Sequence, residues 1–300
     1  MPKAVVITPT YNRGDNGLLR KTMLSVSGQT YEDFVHLIID DGSTDNTVEV
    51  VRRLSGSDSR IVYIRKEREP GQKFGASAAS NYGINIVLTQ FPCVEYATFL
   101  HSDDMFAERS LEKKVNAMER GYLAVYSYNG ICDDKMRLRY TVKWPSLKEP
   151  KEIVSRLKER NMPFPYHTLM LKRSLLEDTG GFDENLGYGE DKDFSIRVME
   201  LLENGQVCYL PELLNFYRTH DDTVTAVYTK EGWHETDMDY LNKKNGGCHT
   251  YSSGYIYRLA KILQAHAGKN QKLPESGEKY HREGHNQRKR LFHRPFYRAD

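Results

Sequence analysis

Cysteine is scarce in this 300-residue chain and nowhere clustered: Cys93, Cys132, Cys208 and Cys248 stand far apart. That argues against a zinc cage or a disulfide framework and fits a reducing compartment. Long apolar runs are missing too. No stretch approaches the roughly 20 residues that span a bilayer, and the first 13 residues turn polar too early for a signal peptide. A cytosolic protein is expected, with peripheral membrane contact left open. An excess of one charge is also absent, because 43 Lys and Arg face 41 Asp and Glu. Net charge therefore points to no partner. There is no internal repeat, but the length suffices for a sizeable core.

What is present begins with alternating periodicities. "KAVVIT", "FVHLIID", "RIVYIR" and "YATFLH" are short β-branched or aromatic runs that read as strands over 3–8, 34–40, 60–65 and 96–101. Between them, apolar positions 18, 19, 23, 24 and 26, the run "TVEVVRRL" and the small-residue run "GASAASNYGINIVL" read as helices. Leu111, Val115 and Met118 also fall at helical spacing. This alternation implies an α/β fold with a mostly parallel sheet flanked by helices. Ligands of such sheets bind beyond the carboxyl ends of the strands. Those ends carry "TPTYNR", "DDGSTD" and "SDD", so the three clusters are expected on one rim.

After Gly121 the pattern loosens, and residues 143–167 mix proline-flanked loops with one polar helix. Order returns at "TLMLKRSLL" and at a helix starting near Glu190, followed by strands "QVCYL" and "LLNFYR". The end of the chain is basic and histidine-rich.

Each polar cluster has two readings. Asp103 or Asp104 in "SDD" caps the following helix, or the pair holds a divalent cation beside substrate phosphates. A cation would also relieve the repulsion of two adjacent carboxylates. In "IIDDGSTDNT" a carboxylate either helps to cap a helix or accepts hydrogen bonds from a nucleobase or ribose. "TPTYNR" is a proline turn, or it offers a tyrosine for stacking and an arginine for phosphate. The acidic start of "GEDKDFSIR" favours a helix N-terminus or supplies a general base, with Asp193 expected to face solvent. His220 is a surface histidine or a metal ligand.

"TPTYNR", "DDGSTDNT", "SDD", "GGFDE" and "GED", in this order and spacing, resemble the inverting nucleotide-sugar glycosyltransferases of the GT-A (Rossmann-like) fold, the group around glycosyltransferase family 2. The resemblance covers residues 1–220, leaving 221–300 as an acceptor-side C-terminal extension. It implies that Pro9, Tyr11 and Arg13 line the nucleotide pocket, that Asp41 contacts the base and that Asp103 serves the ribose or metal shell. Asp104 ligates Mn²⁺ or Mg²⁺, with His220 completing the site, and Asp191 is the base. Lys73 and Asn81 contact the donor. A UDP-sugar is the favoured donor, and the acceptor is a glycan, a lipid carrier, a protein or a modified nucleic acid.

The chain departs from the pattern in two places. His101 stands where many members carry an acid, and the glutamine-to-arginine-tryptophan motif of processive synthases is missing. The resemblance implies a metal-dependent, inverting reaction, and the missing motif together with the lack of membrane-spanning runs points to non-processive transfer of one sugar. The alternative is a non-catalytic nucleotide- or polyanion-binding module on the same scaffold. A sugar nucleotidyltransferase would need a glycine-rich phosphate loop after the first strand, and "TPTYNR" is not one. The aromatic, basic tail over 281–300 suits an anionic surface or lies loosely on the domain.

Overall fold

The computed structural model describes residues 1–67, 74–143, 145–158, 166–187 and 189–220, together with 223, 240, 243 and 244. Lys73 and the basic tail lie outside the described residues. In chain order the elements are β1 (Ala4–Thr10), α1 (Leu18–Ser27), β2 (Phe34–Asp40), α2 (Thr47–Ser55), β3 (Ile61–Arg65), α3 (Ala76–Gln90), β4 (Tyr96–Phe99), β5 (Met105–Phe106) and α4 (Ser110–Met118). The second half adds β6 (Ala124–Cys132), β7 (Leu138–Val142), α5 (Pro150–Lys158), a 3-10 turn (Tyr166–Thr168), β8 (Met170–Lys172), α6 (Arg173–Thr179), α7 (Glu190–Glu200) and β9 (Val207–Arg218).

The strands form one nine-stranded sheet in the order β3-β2-β1-β4-β8-β6-β9-β5, with β7 paired to β6. The first four run parallel, and β1 and β2 are buried at every residue, as strands covered on both faces must be. The other half is mixed. β8 runs antiparallel to both β4 and β6, β6 and β9 run parallel, and β5 and β7 are antiparallel to their partners. The expectation of a mostly parallel sheet therefore holds for the first half and is corrected to a mixed sheet for the whole.

Helix α3 packs on the β1–β2 face because its small residues let it approach. A Cβ at Gly83 would lie 2.8 Å from Ile7 Cγ2 and 3.1 Å from Ile39 Cγ1. Below the rim an aromatic cluster joins the sheet to α7. Phe182 stacks on Phe194 at 4.2 Å, and Phe99 meets Phe182 edge-on at 5.3 Å. The runs read as two strands, "QVCYL" and "LLNFYR", are one strand, β9. Pro211 lies where the β6–β9 register shifts, the kind of irregularity at which a strand tolerates a residue with no N–H.

Candidate active site

The carboxyl ends of β1, β2 and β4 converge, as the alternation predicts. The Asn12 amide donates to Ser43 Oγ (2.9 Å), the Arg13 amide to Thr47 Oγ1 (3.1 Å) and the Gly14 amide to Asp45 Oδ2 (2.9 Å). Arg13 then reaches across the rim, its Nη2 3.9 Å from Asp103 Oδ2. Within the first acidic pair the two carboxylates divide the work. Asp40 ties its own loop, accepting from the Ser43 amide (2.8 Å) and from the Tyr63 hydroxyl (2.6 Å). Asp41 accepts from Lys66 Nζ at 3.2 Å and from the Gly75 amide at 2.8 Å, just ahead of α3. Lys66 is a site neighbour that the sequence reading passed over; its signal was its place at the end of a parallel strand.

The second acidic pair sits after β4. One ligating atom from each of His101, Asp103 and Asp104 lies within 4.8 Å of the others. Asp103 accepts from His220 Nε2 at 2.9 Å. Burial pushes the Asp103 carboxyl up, but the His220 hydrogen bond and the charges of His101, His220 and Arg13 outweigh it and hold the group at about 2. Asp104 goes the other way, raised well above the usual range by burial and then by the charge of Asp103. Its backbone is pinned by Thr22 Oγ1, which donates to its carbonyl at 2.7 Å, and the Arg218 amide donates to Oδ1 at 2.9 Å.

Oδ2 of Asp104 is buried with no hydrogen-bond partner among the described residues. An orphaned buried carboxylate oxygen is costly. Together with an imidazole and a second carboxylate at this spacing, it is a donor set that fits a divalent cation. His220 is not one of the three residues of that group, but its Nε2 is bonded to Asp103, one of them.

The third cluster lies at the start of α7. Gly189 precedes the helix at φ 86°, a left-handed turn suited to glycine. Burial raises the Asp191 carboxyl to about 6, against the opposing hydrogen bond from the Lys192 amide (2.7 Å) and the charge of Lys192. A carboxylate so placed accepts a proton near neutral pH. Asp193 differs from the expectation of a solvent-facing residue. It is fully buried, and it pairs with Arg197 at 2.8 Å and with Lys244 at 3.1 Å. A carboxylate with two cations can be buried where a lone one cannot.

Pro9 is buried in β1 opposite Ile39, and Tyr11 beside it is 43% exposed at the rim. The Asn81 amide is engaged by the "GGFDE" loop, donating to Phe182 O (2.9 Å) and Glu184 Oε1 (2.8 Å) and accepting from the Phe182 amide (2.7 Å). Residues of the C-terminal stretch meet the same loop, since Tyr240 Oη and Lys244 Nζ both donate to Asp183.

A half-sheet of parallel strands with acidic loops at its carboxyl ends, continued by a mixed half, is the GT-A glycosyltransferase fold. The chain belongs to the family described as Glycosyl transferase family 2, whose profile matches residues 5–180. It is 32% identical over 134 residues to an uncharacterized glycosyltransferase of Haemophilus influenzae, covering 44% of this chain and 49% of that one. Thus the chain spans about half the length of that relative. It is 27% identical over 284 residues to the GalNAc(5)-diNAcBac-PP-undecaprenol beta-1,3-glucosyltransferase of Campylobacter jejuni, covering 88% and 86% of the two chains. Among solved structures, residues 1–349 of S. aureus TarS in complex with UDP-GlcNAc superpose with a TM-score of 0.62 at 17% identity, over 89% of this chain and 73% of that one. At that identity the likeness is one of fold. No helix among the described residues is long and apolar enough to cross a membrane.

Proposed function

We propose that this chain transfers one sugar from a nucleoside diphosphate donor to an acceptor hydroxyl, with inversion and without processive extension. The observation that carries the reading is the His101–Asp103–Asp104 group with its orphaned Asp104 oxygen, on the same rim as Asp41 and Arg13. Asp41 receives the donor base, Tyr11 offers its exposed ring for stacking, and Arg13 offers its guanidinium to phosphate. His101, Asp103 and Asp104 would hold Mn²⁺ or Mg²⁺, and His220 orients Asp103 by its hydrogen bond. When bound, that cation supplies positive charge against the departing diphosphate.

Asp191 removes the acceptor proton, which passes to its carboxylate as the acceptor oxygen attacks the anomeric carbon. Displacement from the face opposite the leaving group inverts that carbon. Asn81 acts by holding the 182–184 loop. Residues 1–220 form the transferase domain, and 221–300 form an acceptor-side extension. The contacts of Tyr240 and Lys244 with Asp183 and of Lys244 with Asp193, on the helix that carries Asp191, support that placement. A UDP-sugar donor is favoured by the UDP-GlcNAc complex of the TarS neighbour. An undecaprenol-linked glycan acceptor is favoured by the name of the Campylobacter relative.

The test is donor consumption with a panel of nucleotide sugars and lipid-linked acceptors, with the anomeric configuration of the product read by NMR. Product of the donor's own configuration would refute the single-base displacement.

A further inference from the structure

The cation group of this chain contains an imidazole, and the structure shows what holds it. His101 Nε2 shares a hydrogen bond with the Tyr166 hydroxyl, and the two rings meet edge-on with centroids 5.2 Å apart. Tyr166 is 3% exposed and fixed by packing against Phe99 (5.9 Å) and Phe182 (5.5 Å). Its 3-10 turn is held in turn from neighbouring strands. Asn215 Nδ2 donates to His167 O at 2.7 Å, and Thr98 Oγ1 donates to Leu169 O at 2.6 Å. The tyrosine hydroxyl is therefore a fixed partner for the imidazole. With Nε2 engaged, Nδ1 is the nitrogen left for a cation. A ligand at Nδ1 leaves the proton on Nε2, which then donates to Tyr166 Oη, the arrangement that sets tautomer and ring angle in histidine metal sites.

Building on the catalytic reading above, we infer that Tyr166 is a positioning residue that presents His101 Nδ1 as a nitrogen ligand, and that the resulting one-nitrogen, two-carboxylate set selects a first-row transition ion over Mg²⁺. The chemical reason is general. Mg²⁺ prefers oxygen donors and gives up water reluctantly. An imidazole nitrogen adds affinity along the series from Mn²⁺ to Co²⁺. An acid at position 101 would give an all-oxygen set, with no such preference from a nitrogen ligand.

The experiment uses the full chain with Mg²⁺, Mn²⁺ or Co²⁺ as the probe, alone and with UDP or GDP. Affinities are measured by calorimetry, and the Mn²⁺ coordination is read by pulsed EPR. The expected wild-type order is Co²⁺ tighter than Mn²⁺, and Mn²⁺ tighter than Mg²⁺, with ¹⁴N coupling to Mn²⁺. His101→Asp removes the coupling and reduces the Co²⁺ preference over Mg²⁺ at least tenfold. Tyr166→Phe keeps the ring packing but loses the partner, so Co²⁺ affinity falls about tenfold, the scale of outer-shell ligand loss. Mg²⁺ affinity changes less than threefold.

Wild-type Mn²⁺ without nitrogen coupling, or Mg²⁺ bound as tightly as Co²⁺, overturns the inference. So does Tyr166→Phe with unchanged Co²⁺ affinity and coupling. Donor hydrolysis by the same preparation separates the two claims. Hydrolysis without nitrogen coupling sinks only the ligand assignment, whereas coupling without hydrolysis of any donor sinks the catalytic reading.

Discussion

Replacing Asp191 by Asn should move stability and catalysis in opposite directions. Burial lifts this carboxyl from 3.8 to about 6. A shift of about two pK units corresponds to roughly 3 kcal/mol of added proton affinity. The sign for stability follows from linkage. The folded state binds this proton more tightly than the unfolded one, so the penalty is absent below pH 3.8. It grows as pH rises from 3.8 to 6 and is complete above that. Asn carries no charge and can still accept from the Lys192 amide. Denaturant unfolding at pH 7.5 should therefore show Asp191→Asn more stable by about 1–3 kcal/mol, with the gain gone at pH 4. Transfer should fall about 10³-fold, within the range for loss of a general base, while donor affinity stays within about threefold. In the wild type, transfer should rise about tenfold per pH unit up to pH 6 and then level off, because only the ionised form accepts a proton. Transfer within tenfold of wild type, or a destabilised variant at pH 7.5, would refute the assignment.

Asp104→Asn should abolish metal-dependent binding of UDP in calorimetry yet raise the metal-free melting temperature, because it removes a carboxyl whose ionisation burial and Asp103 oppose and whose Oδ2 has no hydrogen-bond partner among the described residues. Asp193→Ala should do the reverse, costing about 1–3 kcal/mol in urea unfolding by removing the buried carboxylate that pairs with Arg197 and Lys244, with UDP affinity little changed. Gly83→Ala should destabilise by about 1–3 kcal/mol, since the added methyl overlaps Ile7 and Ile39 and outweighs the gain in helix propensity. Asn81→Ala removes three hydrogen bonds to the 182–184 loop and should raise amide exchange there, which hydrogen-exchange mass spectrometry would detect.

The parallel half of the sheet was legible because its strands are short β-branched or aromatic runs separated by segments of helical periodicity, a purely local signal. β6 was not, although it is central and nearly all buried. Ser127, Asn129 and Gly130 interrupt its apolar run. Ser127 is satisfied by Asn215, 88 residues away, a partner that no local window contains. The acidic rim could be read from residue type and strand-end position, and its loops converge as expected. What escaped was the pairing within it. The division of work between Asp40 and Asp41 depends on Tyr63, Lys66 and Gly75, and the burial of Asp193 depends on Lys244, 51 residues further along the chain. The i,i+4 partner Arg197 was visible in the sequence, but by itself such a pair fits an exposed helix face equally well.

The central claim is that the acidic rim binds a nucleotide sugar through a divalent cation and activates it. Slow donor hydrolysis tests it most directly: the full chain with Mn²⁺ and a panel of UDP-, GDP- and dTDP-sugars, assayed for released nucleoside diphosphate with and without chelator. The account predicts release from at least one donor, lost on chelation and lost in Asp104→Asn. Release that survives both chelation and the Asp104 substitution, or no release and no binding of any donor, would contradict it.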